Sequence, residues 1–441
     1  MGKNDDNFTN KKKSIITAIN KSMSSKYYGD LLRSINNGIN ALTYRDFAKI
    51  PISTKKIFED YSFDNFNKDF ISAKAVNMVK HKDAEYKTIL KDHDLSLVHT
   101  SGTTGQPTDL FRHNNDLHSD FIYLNKRRLR SVNFGEFAES KYIWIWPLNE
   151  IYLDDPIEEE GIVYAIENEY GYNLPLSSYT DYELDKVLRL IQLKKIKWLN
   201  GLPSALSALS HYMYKHNVRT ASRMEYIECV GEKLFGWQEN LITDAFGIAP
   251  ANVYSAVETS AIAFACNKGN LHTMDNCFVE IIDCNDKGFG NIIVTKLNNT
   301  YGHLIRYALG DMGRWIECDC GDLKNPAIEL SGYRSNDKFI RNDGTAIEPY
   351  PIINAIMFIE KKAGVRIVQQ QVVQKEIDLL DISYKTLYET TALEKEFIRS
   401  ELEGFLHGYL GDAVHLVLNI GTGIEIAKKK YGKFQVFINE L

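Results

Sequence analysis

The chain has 441 residues, which at roughly 150 residues per domain predicts about three units or two unequal ones. Apolar residues make up 44% of the sequence and charged residues 25%, so disordered and collagen-like chains are excluded. The formal net charge of −6 gives no general electrostatic reason to bind nucleic acid or an anionic membrane. We therefore expect a small molecule or another protein as the partner.

The location of the chain is predicted from its termini and its cysteines. The N-terminus lacks the apolar core of a signal peptide, and the apolar runs are far shorter than the roughly 18 residues that suggest a membrane span. The six cysteines are too few for a disulfide scaffold. We expect a cytoplasmic protein with reduced thiols that binds neither nucleic acid nor membrane.

The first half of the chain predicts helices and then alternating strands and helices. The first ninety or so residues have helical patterns broken by loops, and the apolar run that starts at Leu95 predicts a buried strand that ends in a glycine-rich turn. Further strands are predicted at 142–148, 196–201 and 224–232, with helices at 181–195 and 205–216 between them. This alternation predicts a parallel sheet covered by helices.

The second half of the chain predicts a change of architecture. From about residue 277, short strand patterns separated by turns indicate a β subdomain. After residue 333, helix and strand patterns predict a small α+β unit. The predicted fold is therefore α/β, with a large N-terminal domain (1–333) of helix-covered, mostly parallel sheets and a β subdomain, and a small α+β C-terminal domain (334–441).

The strongest local motif is T-S-G-T-T-G-Q-P-T at residues 100–108. Its glycines allow backbone N–H groups to turn toward a polyphosphate, and its hydroxyls add further donors. A Walker loop is excluded because no lysine follows the second glycine and Pro107 interrupts the start of a helix. A polar loop between a strand and a helix is the alternative. The candidate phosphate-binding residues are Ser101, Gly102, Thr103, Thr104 and Gly105.

This motif resembles the S-G-T-T-G-x-P phosphate loop of the adenylate-forming enzyme superfamily, and other motifs of that superfamily follow in the same order. They are Val230-Gly231-Glu232, Tyr254-Ser255-Ala256-Val257-Glu258, Arg306-Tyr307-Ala308-Leu309-Gly310-Asp311, Arg334-Ser335-Asn336-Asp337 and Tyr431-Gly432-Lys433. Within the superfamily, I-P-I-S-T-K at 50–55, G-L-P-S at 201–204 and G-N-L-H at 269–272 are similar to the phenylacetate-CoA ligase branch.

The resemblance implies ATP and Mg²⁺ as cofactors and assigns a role to each matching residue. Glu258 would bind Mg²⁺, a cation that prefers oxygen ligands, and Lys433 would place a positive charge between the carboxylate and the α-phosphate. The domains would be hinged at Asn336. The implied nucleotide contacts are Gly231, Glu232 and Tyr254 to adenine, Asp311 and Arg334 to the ribose, and Ser255 beside them.

The resemblance further implies a reaction in two steps. ATP and a carboxylic acid would give an acyl-adenylate and pyrophosphate, and a thiol of coenzyme A or of a carrier protein's phosphopantetheine would then displace AMP. The implied acid is aryl or otherwise hydrophobic, because the pocket walls in this branch would be Trp144, Trp146, Gly201, Pro203, Ala256 and Val257. An adenylyl transferase and a non-catalytic nucleotide-binding module are the alternatives.

The cysteines suggest a metal site. Cys266 and His272 precede a predicted hairpin, and Cys318 and Cys320 follow it, so three sulfurs and one imidazole could form a closed structural Cys₃His zinc site. Buried reduced thiols with an incidental C-x-C turn are the alternative. The other cysteines lie in apolar strand patterns and are predicted to be core residues: Cys229, Cys277 and Cys284.

Overall fold

The structure of the chain is a computed structural model. It describes residues 2–32, 41–55, 64–66, 70–81, 85–99, 109–130, 132, 140–146, 156–166, 169–176, 179–220, 223–321, 325–334, 337–411, 413–424 and 436–441. The chain divides into two compact units, one made of residues 1–131 and 253–331 and the other of residues 132–252 and 332–441. The mixed α/β architecture confirms the predicted fold class. The predicted domain boundary at 333/334 stays a prediction.

The elements are numbered along the chain. The helices are α1 (Gly2–Ser22), α2 (Lys26–Leu32), α3 (Tyr44–Phe47), α4 (Ala73–Lys80), α5 (Tyr86–Asp92), α6 (Asn114–Arg128), α7 (Asp181–Lys194), α8 (Pro203–Lys215), α9 (Gly236–Phe246), α10 (Tyr350–Ala363) and α11 (Ala392–Leu410). None of these described helices combines the length and the apolar character needed to traverse a bilayer.

The strands are shorter and more numerous than the helices. They are β1 (Leu95–His99), β2 (Asp109–His113), β3 (Tyr142–Trp146), β4 (Ile157–Glu159), β5 (Ile162–Ile166), β6 (Gly171–Pro175), β7 (Trp198–Gly201), β8 (Tyr226–Val230), β9 (Ala251–Ala256), β10 (Ser260–Ala265), β11 (Leu271–Thr273), β12 (Cys277–Ile282), β13 (Gly290–Lys296), β14 (Tyr307–Ile316), β15 (Ala327–Arg334), β16 (Phe339–Ile340), β17 (Ala346–Ile347), β18 (Ile367–Glu376), β19 (Leu379–Thr386), β20 (His415–Gly421) and β21 (Phe437–Asn439).

The first unit contains an antiparallel sheet in the order β12-β13-β14-β15-β11-β10-β9. Helix α1 lies against it: Asn7 donates to the carbonyl of Val279 at 2.9 Å, and Phe8 packs on Phe278. Two of the short strand patterns after residue 277, LIRYALGD at 304–311 and RWIECDCG at 314–321, are joined in the single strand β14, which ends at Ile316. Pairing with β13 continues past Gly310 with a register shift, so the turn expected there does not form.

Strands β1 and β2 form a separate two-stranded hairpin within the first unit. Strand β1 is present as predicted, and it pairs with β2 in antiparallel register from Leu95↔His113 to His99↔Asp109. Residues 100–108, which carry the predicted phosphate loop, connect the two strands and lie outside the described residues.

The second unit contains the predicted parallel strands in the order β8-β7-β3-β6, followed by antiparallel β5 and β4. Ile143 and Ile145 of β3 are buried in a core shared with helices α7, α8 and α9. Helix α7 begins where the sequence indicates, because Thr180 and Glu183 form a capping box. Helix α8 begins at Pro203, whose missing N–H costs nothing in the first turn.

The same unit contains a second sheet near the C-terminus, in the order β20-β19-β18-β21. Helices α10 and α11 cover it, and the predicted strands and helices of this region are all present. Helix α11 starts with a capping box between Thr391 and Glu394. Ile398, Leu402 and Leu406 recur at four-residue spacing and are buried in the core of this region.

Two substitutions on α11 test this packing. Ile398→Ala removes a fully buried side chain and should lower the free energy of unfolding by about 2–5 kcal/mol. Leu393→Ala on the same helix changes a side chain that is 84% exposed and should alter it by less than about 0.5 kcal/mol. Urea denaturation followed by circular dichroism measures both, and equal losses would show that α11 is not packed as described.

Candidate functional site

The turn between β9 and β10 carries the candidate magnesium ligand Glu258. Tyr307, at the start of β14, donates a hydrogen bond from its hydroxyl to Glu258 Oε1 at 3.2 Å. The turn ends at Ser260, whose φ of +58° is unusual for a residue with a side chain. The sequence did not predict a role for Tyr307. Its position in the matching motif at 306–311 could have indicated that it lies near the site.

A second hydrogen bond joins two of the predicted nucleotide-binding residues. The hydroxyl of Tyr254 on β9 donates to Asp311 Oδ2 on β14 at 2.9 Å. Tyr254 is buried, and Asp311 follows Gly310, which has a φ of +83°. The structure therefore brings Tyr254 and Asp311 together within the first unit, while their contacts to adenine and ribose stay predictions. The remaining residues of this motif, Ser255, Ala256 and Val257, lie between Tyr254 and Glu258, and Val257 is exposed.

A small cavity of about 40 Å³ adjoins Glu258 in the first unit. Its walls come from β2 and from the segment 299–304, and they include Arg112, His113, Asp116 and Asn299. A cavity of this size holds one or more water molecules when polar groups line it. Glu258 therefore borders a small cavity whose walls contain both polar and apolar side chains.

In the second unit, the predicted adenine segment follows β8. Gly231 has a φ of +86°, a conformation that glycine adopts without strain. The Glu232 carboxylate accepts a hydrogen bond from the backbone N–H of Ser204 at 3.1 Å. Ser204 lies in the first turn of α8, where unpaired N–H groups favour a negative charge. The segment is thus held against the start of α8.

The predicted acid-pocket residues of this unit lie on neighbouring strands β3 and β7. The rings of Trp144 and Trp146 are stacked, with centroids 5.5 Å apart and an interplanar angle of 5°. Close packing favours glycine at position 201, because a Cβ atom there would lie 3.1 Å from the carbonyl oxygen of Ile145. Pro203 is buried at the start of α8. Their role in binding an acid stays a prediction.

The four predicted zinc ligands lie together in the first unit. Their ligand atoms are all within 4.8 Å of one another. The sulfurs of Cys266 and Cys318 are 3.8 Å apart, and Cys320 Sγ is 3.5 Å from His272 Nε2. With Zn–S near 2.3 Å and Zn–N near 2.0 Å, a tetrahedral ion would separate two sulfurs by about 3.8 Å and a sulfur and a nitrogen by about 3.5 Å.

The surroundings of this cluster also suit a metal. His272 Nδ1 donates to the carbonyl of Asn325 at 2.5 Å, which leaves Nε2 facing the sulfurs and gives the outer contact typical of ligating histidines. Burial raises the pKa of the Cys266 thiol to about 11, so a bound metal would have to displace its proton. Burial also opposes ionisation of Cys318, but hydrogen bonds from His272 and Asn270 outweigh it and lower its pKa to about 6. The residues present therefore fit a zinc ion.

The remaining cysteines are only partly as predicted. Cys229 and Cys277 are fully buried in strands. Cys284 is exposed, so its prediction as a core residue is wrong. Strand β12 ends at Ile282, and Asp283 takes a φ of +52°, so the chain turns away from the core before it reaches Cys284.

Several predicted site residues lie outside the described part of the chain. They are Ser101, Gly102, Thr103, Thr104 and Gly105 of the phosphate loop, the hinge residue Asn336, the C-terminal Lys433 and the side chain of Arg334. Their roles stay predictions that derive from the sequence.

Comparison with known proteins identifies the fold. No family model and no curated protein matches the sequence. The structure is similar to a 2-hydroxyisobutyryl-CoA ligase in the postadenylation state in complex with 2-HIB-AMP, with a TM-score of 0.66, 15% identity and coverage of 97% of this chain and 88% of that chain. The same ligase in complex with 2-HIB-AMP and CoA in the thioesterification state gives a TM-score of 0.52, 16% identity and coverage of 98% and 90%.

The structure is also similar to that of a ligase for a different acid. An anthranilate CoA ligase in complex with anthranoyl-AMP gives a TM-score of 0.50 and 14% identity, and covers 77% of this chain and 65% of that chain. At such identities the similarity concerns the fold. The fold is the one that the motifs predict, and the phenylacetate-CoA ligase branch stays a prediction. The chain has the fold of the adenylate-forming ligases.

Proposed function

We propose that the chain is an AMP-forming acid–thiol ligase. A carboxylate oxygen attacks the α-phosphorus of ATP, and pyrophosphate leaves. A thiolate of coenzyme A or of a carrier protein's phosphopantetheine then attacks the acyl carbon, and AMP leaves with the electron pair. The observation that carries this proposal is the fold similarity to an acyl-CoA ligase over 97% of the chain, in a sequence whose Glu258, Tyr254 and Asp311 follow the motif order of that superfamily.

Each residue has a defined task in this scheme. Glu258 would hold Mg²⁺, which would supply charge stabilisation to the transferring phosphoryl group. The phosphate loop at 101–105 donates to the departing pyrophosphate. Asp311, which Tyr254 orients through its hydroxyl, accepts from the ribose together with a contact from Arg334. Lys433 approaches the α-phosphate when the C-terminal domain closes about Asn336.

We further propose that the acid is aryl or otherwise hydrophobic. Trp144 and Trp146 place the apolar surface of two stacked aromatic rings on β3, and a side chain at Gly201 would crowd the neighbouring backbone at 3.1 Å. Such a surface favours an apolar acyl group through burial of its area. Pyrophosphate exchange across a panel of aryl, alkyl and polar acids tests this, followed by thioester assays with coenzyme A and with a carrier protein. Exchange with polar acids alone would contradict the substrate class.

Replacement of the magnesium ligand should reduce adenylation. Glu258→Gln removes a charged oxygen ligand, and we expect the pyrophosphate exchange rate to fall by about 100-fold or more, because a metal contributes several kcal/mol to the transition state. Glu317→Gln is the matched control, since that carboxylate is 90% exposed and, within the described part of the chain, forms an ion pair with Lys3 at the surface. An equal fall in both variants, or none in Glu258→Gln, would contradict the assignment.

The role of Lys433 can be distinguished from that of the three lysines that precede it at 428–430. Lys433→Ala should retain ATP binding, measured by calorimetry, but lose adenylation by about 100-fold, as expected when one charge-stabilising donor is removed. Lys430→Ala alters the same run of lysines without touching the matching glycine-lysine pair. An unimpaired exchange rate in Lys433→Ala would show that the run is an ordinary solvated surface.

We also propose that Cys266, His272, Cys318 and Cys320 hold a structural zinc ion. All four coordination positions are filled by protein, so the ion would stabilise the ends of β10 and β14 rather than act on substrate. Elemental analysis of protein prepared without added metal should find about one zinc per chain.

A pair of cysteine variants tests the zinc site. Cys318→Ser should lose zinc and melt at a lower temperature, because zinc binding stabilises only the folded state. Cys284→Ser changes an exposed thiol outside the cluster and should keep both the zinc and the melting temperature. Zinc content well below one per chain in the unaltered protein, or an unchanged melting temperature in Cys318→Ser, would contradict the site.

A further inference from the structure

Arg112 on strand β2 contacts the turn that carries Glu258. Its Nη1 atom donates to the Ser260 hydroxyl at 2.7 Å and to the carbonyl oxygen of Val257 at 3.2 Å. These two acceptors lie on either side of Glu258 and Thr259 in the sequence. The guanidinium therefore holds both ends of the turn from one side chain, and it is 6% exposed.

The turn itself needs such support. Ser260 has a φ of +58°, which costs a residue with a side chain of order 1–3 kcal/mol unless its surroundings hold it there. Val257 is exposed, and the pairing of β9 with β10 is irregular just beyond the turn, between Ala261 and Ala263. The hairpin holds the turn through one backbone hydrogen bond, from the Thr259 N–H to the Ala256 carbonyl at 3.2 Å, and the contacts of Arg112 add to it from outside the hairpin.

The second terminal nitrogen of the Arg112 guanidinium contacts a buried carboxylate in the interior of the first unit. Its Nη2 atom donates to Asp120 Oδ2 at 2.7 Å. Asp120 lies on α6, is 3% exposed, and also accepts from Lys296 Nζ at 2.7 Å and from the amides of Asn276 and Asn298, each at 2.8 Å. Burial opposes its ionisation, but Lys296 and Arg112 outweigh that effect and lower the pKa of Asp120 to about 2.

Because Asp120 has two cationic partners, a substitution of Arg112 does not leave the buried carboxylate without an opposite charge. Arg112 and Lys296 supply two positive charges, and Asp120 supplies one negative charge, so the formal sum is +1. Removal of either cation leaves Asp120 paired with the other one and with two amides. The usual penalty for breaking a buried ion pair, an uncompensated charge, is therefore avoided.

We propose that Arg112 is a positioning residue that fixes the Glu258 carboxylate for magnesium binding. This inference rests on the proposed function. Arg112 acts through the Val257 carbonyl and the Ser260 hydroxyl, while the Tyr307 hydroxyl holds the carboxylate itself. A planar guanidinium with several donors suits this double contact better than an ammonium group. Residues that orient metal ligands in this way typically alter metal affinity 10- to 100-fold when replaced.

Two methionine variants of the same network test the proposal. Arg112→Met should raise by about tenfold both the dissociation constant for Mg²⁺, measured by calorimetry on the ATP-bound protein without acid, and the Mg²⁺ concentration that gives half-maximal pyrophosphate exchange. Excess Mg²⁺ should restore most of the rate. Lys296→Met loses a cation from the same carboxylate but leaves the contacts to the turn intact, so its magnesium requirement should stay within about twofold of the unaltered protein. The half-saturating acid concentration should change less than that for magnesium in both variants.

The outcomes separate this inference from the proposed function. An active unaltered protein with the same magnesium requirement in Arg112→Met, or with equal shifts in both variants, overturns the role of Arg112 alone. An unaltered protein that catalyses no exchange with any acid contradicts the proposed function, and this role with it. If Arg112→Met does not fold, Ser260→Ala removes one of the two contacts, and an unchanged magnesium requirement in that variant overturns the inference.

Discussion

A buried carboxylate organises the first unit of this protein. Asp120 can remain charged in the interior only because Arg112, Lys296 and two amides donate to it, and these partners come from β2, β13 and the loops around them. Arg112 extends the same network to the turn that carries Glu258. The need to neutralise one interior charge therefore fixes strands that are distant in sequence and, through them, the candidate magnesium ligand.

The second unit meets a different constraint, the close packing of parallel strands. Strand β7 approaches β3 so closely that a Cβ atom at Gly201 would lie 3.1 Å from the Ile145 carbonyl oxygen, and the Glu232 carboxylate holds the segment after β8 against the start of α8. Trp144 and Trp146 alternate along β3 with Ile143 and Ile145, which are buried in the core, and Trp146 also packs against that core. In this unit, the motif residues therefore lie in the same strands and turns as the residues that pack the sheet.

The sequence predicted the elements and motifs better than the contacts between them. Periodicity located the parallel strands and their helices, and residue types with their spacing located the Cys₃His cluster. The contacts of Tyr307 with Glu258 and of Arg112 with Val257 join residues 49 and 145 positions apart, so only the tertiary fold could bring them together. Cys284 was misplaced because its apolar neighbours end at Ile282, where the backbone turns.

The central claim is that ATP activates a carboxylic acid as its adenylate on this protein. Mass spectrometry of the products formed by a stoichiometric amount of protein with ATP, Mg²⁺ and a hydrophobic acid, in the absence of any thiol, tests it directly. We expect acyl-AMP and pyrophosphate in amounts that depend on the acid. AMP attached covalently to a protein would indicate an adenylyl transferase, and unreacted ATP with every acid would indicate a nucleotide-binding module; either result would contradict the claim.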